Sequence, residues 1–333
     1  MRFVLFFLCI AFSNSSLIER FENWITDFKI TFDDYKTYDG VFNKWAANHK
    51  FIEEVNSKNL TYKLGHNQFS GMDSSDFSQY LGISRILYQD YKQLFHVNKP
   101  IDIVEKIPES INWVSVGAVT PVKDQGQCGS CWSFSTTGAL EGAHYVKTGA
   151  LESFSEQQLV DCDNYSHGGK DLGCKGGLMD NAFTWISKNN GLCREKDYPY
   201  VSGTTKKSGT CQETCTKNKN SDISSYVDVI SSSDDEMMKA LSLQPVSIAI
   251  QADEREFQLY KSGVFTGKCG NELDHGVLAV GYGKLDGLDY YLIKNSWSTS
   301  WGNGGYIMLG RGTQYNGGDG QCGMLLQASY PLL

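Results

Sequence analysis

Gln125-Gly126-Gln127-Cys128-Gly129-Ser130-Cys131-Trp132-Ser133-Phe134 is the stretch from which the rest of the chain can be read. It sets two cysteines three residues apart, just after a Gly-rich turn, at the start of a run over residues 130–145 that reads as a helix. Such a pair admits three chemistries. A redox dithiol would sit in a compact βαβ unit, and no such pattern flanks it. Half of a zinc site would need a second close pair, or a His pair at ligand spacing; His275 is isolated, and Cys211 and Cys215 lack neighbours of that kind. In the third reading one cysteine is tied structurally and Cys131, opening the helix, is a nucleophile. Unpaired N–H groups and the positive end of the dipole favour a thiolate there.

Cysteine counting narrows the choice. The chain of 333 residues holds ten cysteines. Cys9 falls in an N-terminal leader: Met1-Arg2, the apolar run from Phe3 to Phe12, then Ser13-Asn14-Ser15-Ser16. A basic start, a short apolar core and small residues read as a signal peptide over residues 1–16, which places the chain in the secretory pathway, bound for a lysosome, a vacuole or the medium. The run is too short to span a bilayer, and no membrane span is expected. Nine cysteines remain, an odd number, so a fully paired monomer leaves one thiol over. Asn59-Leu60-Thr61 and Asn164-Tyr165-Ser166 are then candidate glycan acceptors, at Asn59 and Asn164.

Charge excludes other classes. Thirty basic groups stand against 38 acidic ones, net −8, so no global basic surface for nucleic acid is present. Residues 1–106 carry 12 basic and 13 acidic groups, which leaves 18 against 25, net −7, for residues 107–333. The texture divides at the same place. Phe21, Trp24 and Phe28, then Trp45, His49, Ile52 and Val55, recur at helical spacing and predict two amphipathic helices. Residues 81–106 read as an extended connector. From Ile107 onward Gly- and Cys-rich loops alternate with β-type runs at 246–250, 277–280, 290–293 and 306–309, and the whole reads as an α+β body.

The segment 125–134 resembles the papain-like signature C-G-[SA]-C-[WY]. Leu273-Asp274-His275-Gly276 brings a histidine 144 residues after Cys131, and Asn295-Ser296-Trp297 an asparagine 164 residues after it. Residues 107–333 carry further matches at 117–122, Ser155-Glu156-Gln157-Gln158, Cys174-Lys175-Gly176-Gly177 and Tyr198-Pro199-Tyr200, most similar to cathepsin L-like endopeptidases. The resemblance implies a papain-like two-lobed body, with a helical left lobe and a β-barrel-like right lobe, and cysteine endopeptidase activity. It implies a Cys131–His275 thiolate–imidazolium pair, Asn295 orienting the imidazole, Trp297 shielding that contact, and Gln125 as oxyanion donor beside the backbone N–H of Cys131. Substrate would lie along Gly176 and Gly177. Asp274 and Trp297 would also border the substrate, and a pocket lined by Leu178, Met179, Ala249, Leu273, Gly276 and Gln327 would take a hydrophobic or aromatic side chain two residues before the cut. Bridges Cys128–Cys174, Cys162–Cys211 and Cys269–Cys322 are implied, and a fourth, Cys193–Cys215, is the economical completion. No metal or organic cofactor is implied. Partners would be polypeptide substrates and cystatin-like inhibitors, met by a monomer.

Residues 17–106 resemble the inhibitory propeptide of the same family, with cleavage expected near Ile107, and thus a peptidase domain over 107–333. Asn48, Ile52 and Asn56 match its helical motif, with Trp45 in an aromatic slot. Thr37 and Val41 stand where an acidic and a basic residue are expected, and Gly71 replaces an aspartate after Gly65, Asn67 and Phe69. Ser298 stands where a glycine is usual. Two rivals stay open at this point: a silent papain-fold binding protein, and a disulfide-exchange protein using Cys128 with Cys131.

Overall fold

The computed structural model describes residues 16–32, 35–83, 106–212 and 215–333. The apolar leader with Cys9, and most of the expected connector, lie outside the described residues.

The N-terminal segment folds first as two helices. Helix α1, Leu17–Phe28, starts where the Ser16 side chain accepts from the Glu19 N–H, an N-cap that satisfies one orphan donor. It stops where Lys29 turns left-handed. Helix α2, Tyr35–Asn56, is the second expected unit. Their apolar faces meet in an aromatic cluster of Phe21, Trp24 and Trp45, with Phe21 edge-on to Phe42 at 5.1 Å. A satellite core of this kind is what keeps so short a segment folded.

That segment is not wholly helical. Tyr62–Leu64 forms strand β1, which pairs antiparallel with Tyr260–Phe265, and the periodicity gave no sign of it. The remaining strands are β2 (Ile111–Asn112), β3 (Ser225–Asp228), β4 (Val246–Ile250), β5 (Tyr260–Phe265), β6 (His275–Leu285), β7 (Leu288–Lys294), β8 (Tyr306–Gly310) and β9 (Ala328–Leu332). They run in the order β1-β5-β8-β7-β6-β4-β9-β3, with β2 beside β6. Only β5 and β8 pair in parallel among these strands. The end strands β1 and β3 do not join, so the barrel-like lobe is an open sheet, with the outer edge of β5 taken by β1. Asp286 and Gly287, both at positive φ, close the β6–β7 hairpin, as the Asp-Gly pair favours.

The second lobe is built on a helix, Cys131–Thr148, whose residues are buried continuously from Cys131 to His144. A residue run apolar or small on every side belongs between two bodies rather than on a surface. One side, through Leu140, packs on Leu159, Phe183 and Ile186 of a helical cluster; the other meets β4 and β6. Four disulfides join Cys128 to Cys174, Cys162 to Cys211, Cys193 to Cys215 and Cys269 to Cys322. Cys131 is the free cysteine among the described residues. With Cys128 in a bridge to Cys174, the disulfide-exchange reading loses its dithiol.

The missing charges of the N-terminal segment have a packing explanation. A Cβ on Gly71 would stand 2.5 Å from Val41 Cγ1 and 2.8 Å from the Trp24 ring. Where the resemblance leads one to expect a basic residue at 41 and an aspartate at 71, this chain sets Val41 against the bare backbone of Gly71. Gly71→Asp should therefore overpack the contact by about 1–3 kcal/mol. Thermal melting of the full chain carrying Cys131→Ala should show the N-terminal segment loosening first, and an unchanged melting curve would refute the packing account.

Candidate active site

The site is assembled at the start of the central helix. Ser130 is its N-cap, yet the Ser130 hydroxyl bonds Tyr200 at 2.7 Å and makes no cap to the helix N–H groups. Those donors are left near the Cys131 sulfur, which also takes the Gly276 N–H at 3.2 Å. Strand β6 begins at His275, so the strand that supplies this N–H carries the imidazole one residue earlier. His275 Nε2 lies 2.8 Å from Asn295 Oδ1, which also accepts the Ser296 N–H at 2.8 Å. That second bond fixes which end of the Asn295 amide faces the ring. His275 Nδ1 is buried and has no other partner. Trp297 stacks on the imidazole with centroids 4.4 Å apart and is wholly buried.

Gln125 sits in the loop before the helix. Its Oε1 accepts from Ser296 Oγ at 2.7 Å, and its Nε2 donates to Cys128 O at 3.0 Å and to Tyr80 O at 2.9 Å. The last acceptor comes from the N-terminal segment. Residues 80–83 cross the site in extended form: Gly177 N–H donates to Gly82 O at 3.0 Å, and Ile83 N–H to Asp274 O at 3.0 Å. Ile83 pairs with Gly177 in parallel. The Ile83 side chain is buried in one cluster with Leu178, Met179, Ala249 and Leu273. Gln327 lies alongside, its carbonyl accepting the Ala249 N–H at 3.0 Å, with both side-chain polar atoms buried and unpartnered. The structure thus brings together the residues the resemblance named for the site, and adds the strand that covers them. Trp297 faces away from Ile83, into the other cluster, where Phe69 and Phe77 meet it edge-on at 5.3 and 5.2 Å.

Burial sets the protonation of the covered pair. It pushes the Cys131 thiol up to about 12, against the N–H groups of Gly276 and Gly82 that would favour an anion. It also pushes His275 down to about 4, with the Asn295 bond opposing. Both effects favour neutral thiol and neutral imidazole while residues 80–83 are in place. The ion pair expected from the sequence is therefore not the form this covered site supports, because water that would solvate it is excluded.

Behind Gln125 and Asn295 lies a charge cluster that motif reading missed. Lys123 Nζ stands 2.9 Å from Glu141 and 2.5 Å from Glu156, and Lys294 Nζ donates to Thr120 Oγ1 at 3.0 Å. Burial lowers Lys294 to about 8. Each lysine is within two residues of a site amide, so the cluster anchors both loops. Ser298 takes φ 62°, the left-handed region where glycine is usual, and its N–H is held by Lys123 O at 3.0 Å.

Sequence comparison matches residues 107–332 to the profile "Papain family cysteine protease" and residues 21–77 to "Cathepsin propeptide inhibitor domain (I29)". The chain belongs to the papain family of cysteine proteases. It is a cysteine endopeptidase made as a zymogen, with its own propeptide as intramolecular inhibitor. It is 42% identical to cysteine protease XCP2 of Arabidopsis thaliana over 96% of this chain and 87% of that relative. Against the probable cysteine protease RD21B of the same plant the identity is 46%, over 87% of this chain and 60% of that longer protein. Among solved structures, the proform of the ragweed pollen cysteine protease Amb a 11 superposes with TM-score 0.83 at 36% identity, covering 95% of this chain and 94% of that one. A recombinant stem bromelain precursor gives TM-score 0.84 at 35% identity over 95% and 99%. No helix among the described residues is long and apolar enough to cross a membrane.

Val41 and Gly71 carry no charge, but a histidine pair sits in the propeptide. His49 Nδ1 and His66 Nε2 are 2.9 Å apart, and both rings stack on Trp45. Arg20 and Glu53 face His49 from α1 and α2, at 3.2 Å each. Burial and the neighbouring His49 lower His66 to about 4. Unfolded, it would take a proton near 6.5, so its neutral state stabilises the folded propeptide above that pH and this support is lost as pH falls toward 4. The difference is worth about 3 kcal/mol. His66→Leu should slow self-activation at about pH 5 several-fold, with little change near neutrality. An unaltered activation rate at the acid pH, read by gel or by active-site titration, would refute this.

Proposed function

We propose that the mature protease, residues 107–333, hydrolyses peptide bonds through Cys131 and His275 once residues 80–83 leave the cleft. Cleavage near Ile107 removes the covering strand, water enters, and the pair can ionise to thiolate and imidazolium. The helix N-terminus and the Gly276 N–H then stabilise the sulfur anion. The thiolate attacks the scissile carbonyl, a C–S bond forms, and the oxyanion is held by Gln125 Nε2 and the Cys131 N–H. The imidazolium gives its proton to the leaving amine as the C–N bond breaks. Water, deprotonated by the imidazole, then attacks the thioester and returns the thiolate. Asn295 keeps the ring in the tautomer and orientation this requires, and Trp297 keeps water from their bond. What carries this reading is the free Cys131 sulfur at a helix start, bonded by the residue after His275, whose far nitrogen is held by Asn295.

The covering strand argues for the substrate class. Its Tyr80 carbonyl already sits on Gln125 Nε2, the donor assigned to the oxyanion, and its backbone uses Gly177 and Asp274, the groups a bound peptide would use. Ile83 fills the apolar pocket, so a hydrophobic or aromatic residue is preferred two positions before the cut. Gln327 carries no charge to attract Arg. Of the two glycan candidates, Asn59 is exposed in the propeptide, whereas the Asn164 amide is engaged with Asp161 O at 2.8 Å. Entry to the secretory pathway, residence in a vacuole, lysosome or the medium, and inhibition by cystatin-like proteins that compete for the same cleft complete the proposal.

Steady-state kinetics on a Leu/Phe/Arg peptide series should favour Leu or Phe, and a clear Arg preference would overturn the pocket assignment. Cys131→Ala should abolish turnover with the fold intact, while Gln125→Ala should lower kcat by about 10²–10³ with KM nearly unchanged. Labelling by a thiol-directed epoxide should modify the wild type once, at Cys131; labelling elsewhere with activity retained would sink the mechanism.

A further inference from the structure

Beneath the Gly177 rung lies a pair of wholly buried carboxyls, Asp163 and Asp171, that the reaction above does not use. Asp171 Oδ1 accepts from the Leu178 N–H and from Asn181 Nδ2, both at 3.0 Å. Asp163 Oδ1 accepts from the Lys170 N–H at 3.3 Å. The second oxygen of each, Oδ2, is buried and finds no donor. The two carboxyls lie within hydrogen-bond reach of each other. Two carboxylates at that range cannot both ionise in a site without water, and one proton held between them supplies the missing donor.

The pair is tied to the cleft by contact. A Cβ on Gly177 would stand 2.8 Å from Asp171 Cγ and 2.6 Å from the Trp132 ring, so the carboxyl forms the floor under that residue. The Leu172 N–H holds the Gly176 carbonyl at 2.9 Å from the same side. The charged and polar groups around the pair are few. The helix Met179–Lys188 contributes Asn181 and the Lys188 charge felt by Asp163; the loop contributes the N–H groups of Lys170, Asp171 and Leu178; the central helix contributes uncharged Trp132, whose Nε1 donates to Gly173 O at 3.1 Å. His167, in the same loop, is exposed and bonds Asn164 Oδ1 at 3.0 Å.

We infer that Asp163 and Asp171, sharing one proton, are positioning residues that hold the strand 176–178 in register for backbone pairing with the peptide substrate, and that losing this proton loosens the rung. The inference rests on the peptidase reading above. Burial raises Asp163 to about 6, and burial with the Asp163 charge raises Asp171 well beyond the carboxylate range. The shared proton is thus held to a higher pH than an isolated, solvated carboxyl would hold it.

The test is the pH dependence of KM and kcat on a Phe- or Leu-containing fluorogenic peptide, using the mature enzyme standardised by epoxide titration of Cys131. Wild-type KM should stay level while the proton is held and rise about five-fold once rising pH removes it, with kcat moving less. Asp171→Asn keeps the acceptor for Leu178 and carries a permanent donor toward Asp163, so its KM should stay level across the range, and Asp163→Asn should do the same. Asp171→Ala removes the acceptor and should raise KM at every pH. A level wild-type KM, or an alkaline rise retained in Asp171→Asn, overturns the inference. If neither variant folds, the wild-type split between KM and kcat decides alone. A wild type that titrates with epoxide but turns over no peptide fails the peptidase reading instead.

Discussion

A sulfur buried at the head of a helix and shut off from solvent is held as a thiol, and this constraint organises the molecule. The Cys131 thiol and the His275 ring are both driven toward neutrality by burial, and the burial is supplied by residues 80–83 of the propeptide. Inhibition therefore has two parts that reinforce each other. The strand occupies the groups proposed to bind substrate, and it shuts the proposed catalytic pair off from solvent. The N–H donors aimed at the sulfur and the Asn295 bond to His275 are already in place. What the covered site lacks is hydration rather than geometry, so activation asks for displacement and not for rebuilding.

The propeptide holds its place through contacts unlike those its sequence motif suggests. Val41 against Gly71 is an apolar contact, insensitive to pH, where a charge pair is expected. A titratable group of the propeptide is His66, stacked with His49 on Trp45. A buried neutral imidazole and a surface ion pair answer acid in the same sense, since both lose stabilisation on protonation. The function of a pH-labile clamp can thus pass from one set of residues to another while the fold stays the same.

Much of this was legible in the sequence, for identifiable reasons. Helices α1 and α2 carry one-sided aromatic spacing, the run at 246–250 is rich in β-branched residues, that at 306–309 is aromatic and aliphatic between glycines, and the Cys131 segment carries a recognisable motif. Strand β1 escaped because three residues, Tyr62–Leu64, are too few to show alternation, and their partner lies about two hundred residues away. The open sheet escaped because closure depends on which strands are neighbours, and that order is set by tertiary packing. Nothing in the spacing pairs His49 with His66; their contact across 17 positions follows from the loop at 65–67 folding back on α2. The Asp163–Asp171 pair was invisible for a simpler reason. Two aspartates in a polar loop look like solvated surface until Trp132 and the helix Met179–Lys188 are seen to enclose them.

One further consequence follows from β1. It covers the outer edge of β5, whose other neighbour, β8, shares only a short parallel ladder at Val264–Met308 and Phe265–Leu309. Once the propeptide is cut away, that margin of the sheet is left without the strand that pairs with it here. A mature molecule that is later denatured would have to rebuild a nonlocal margin unaided, a slow and aggregation-exposed route. The persistence of the working enzyme is then governed by how rarely it unfolds, not by how readily it refolds.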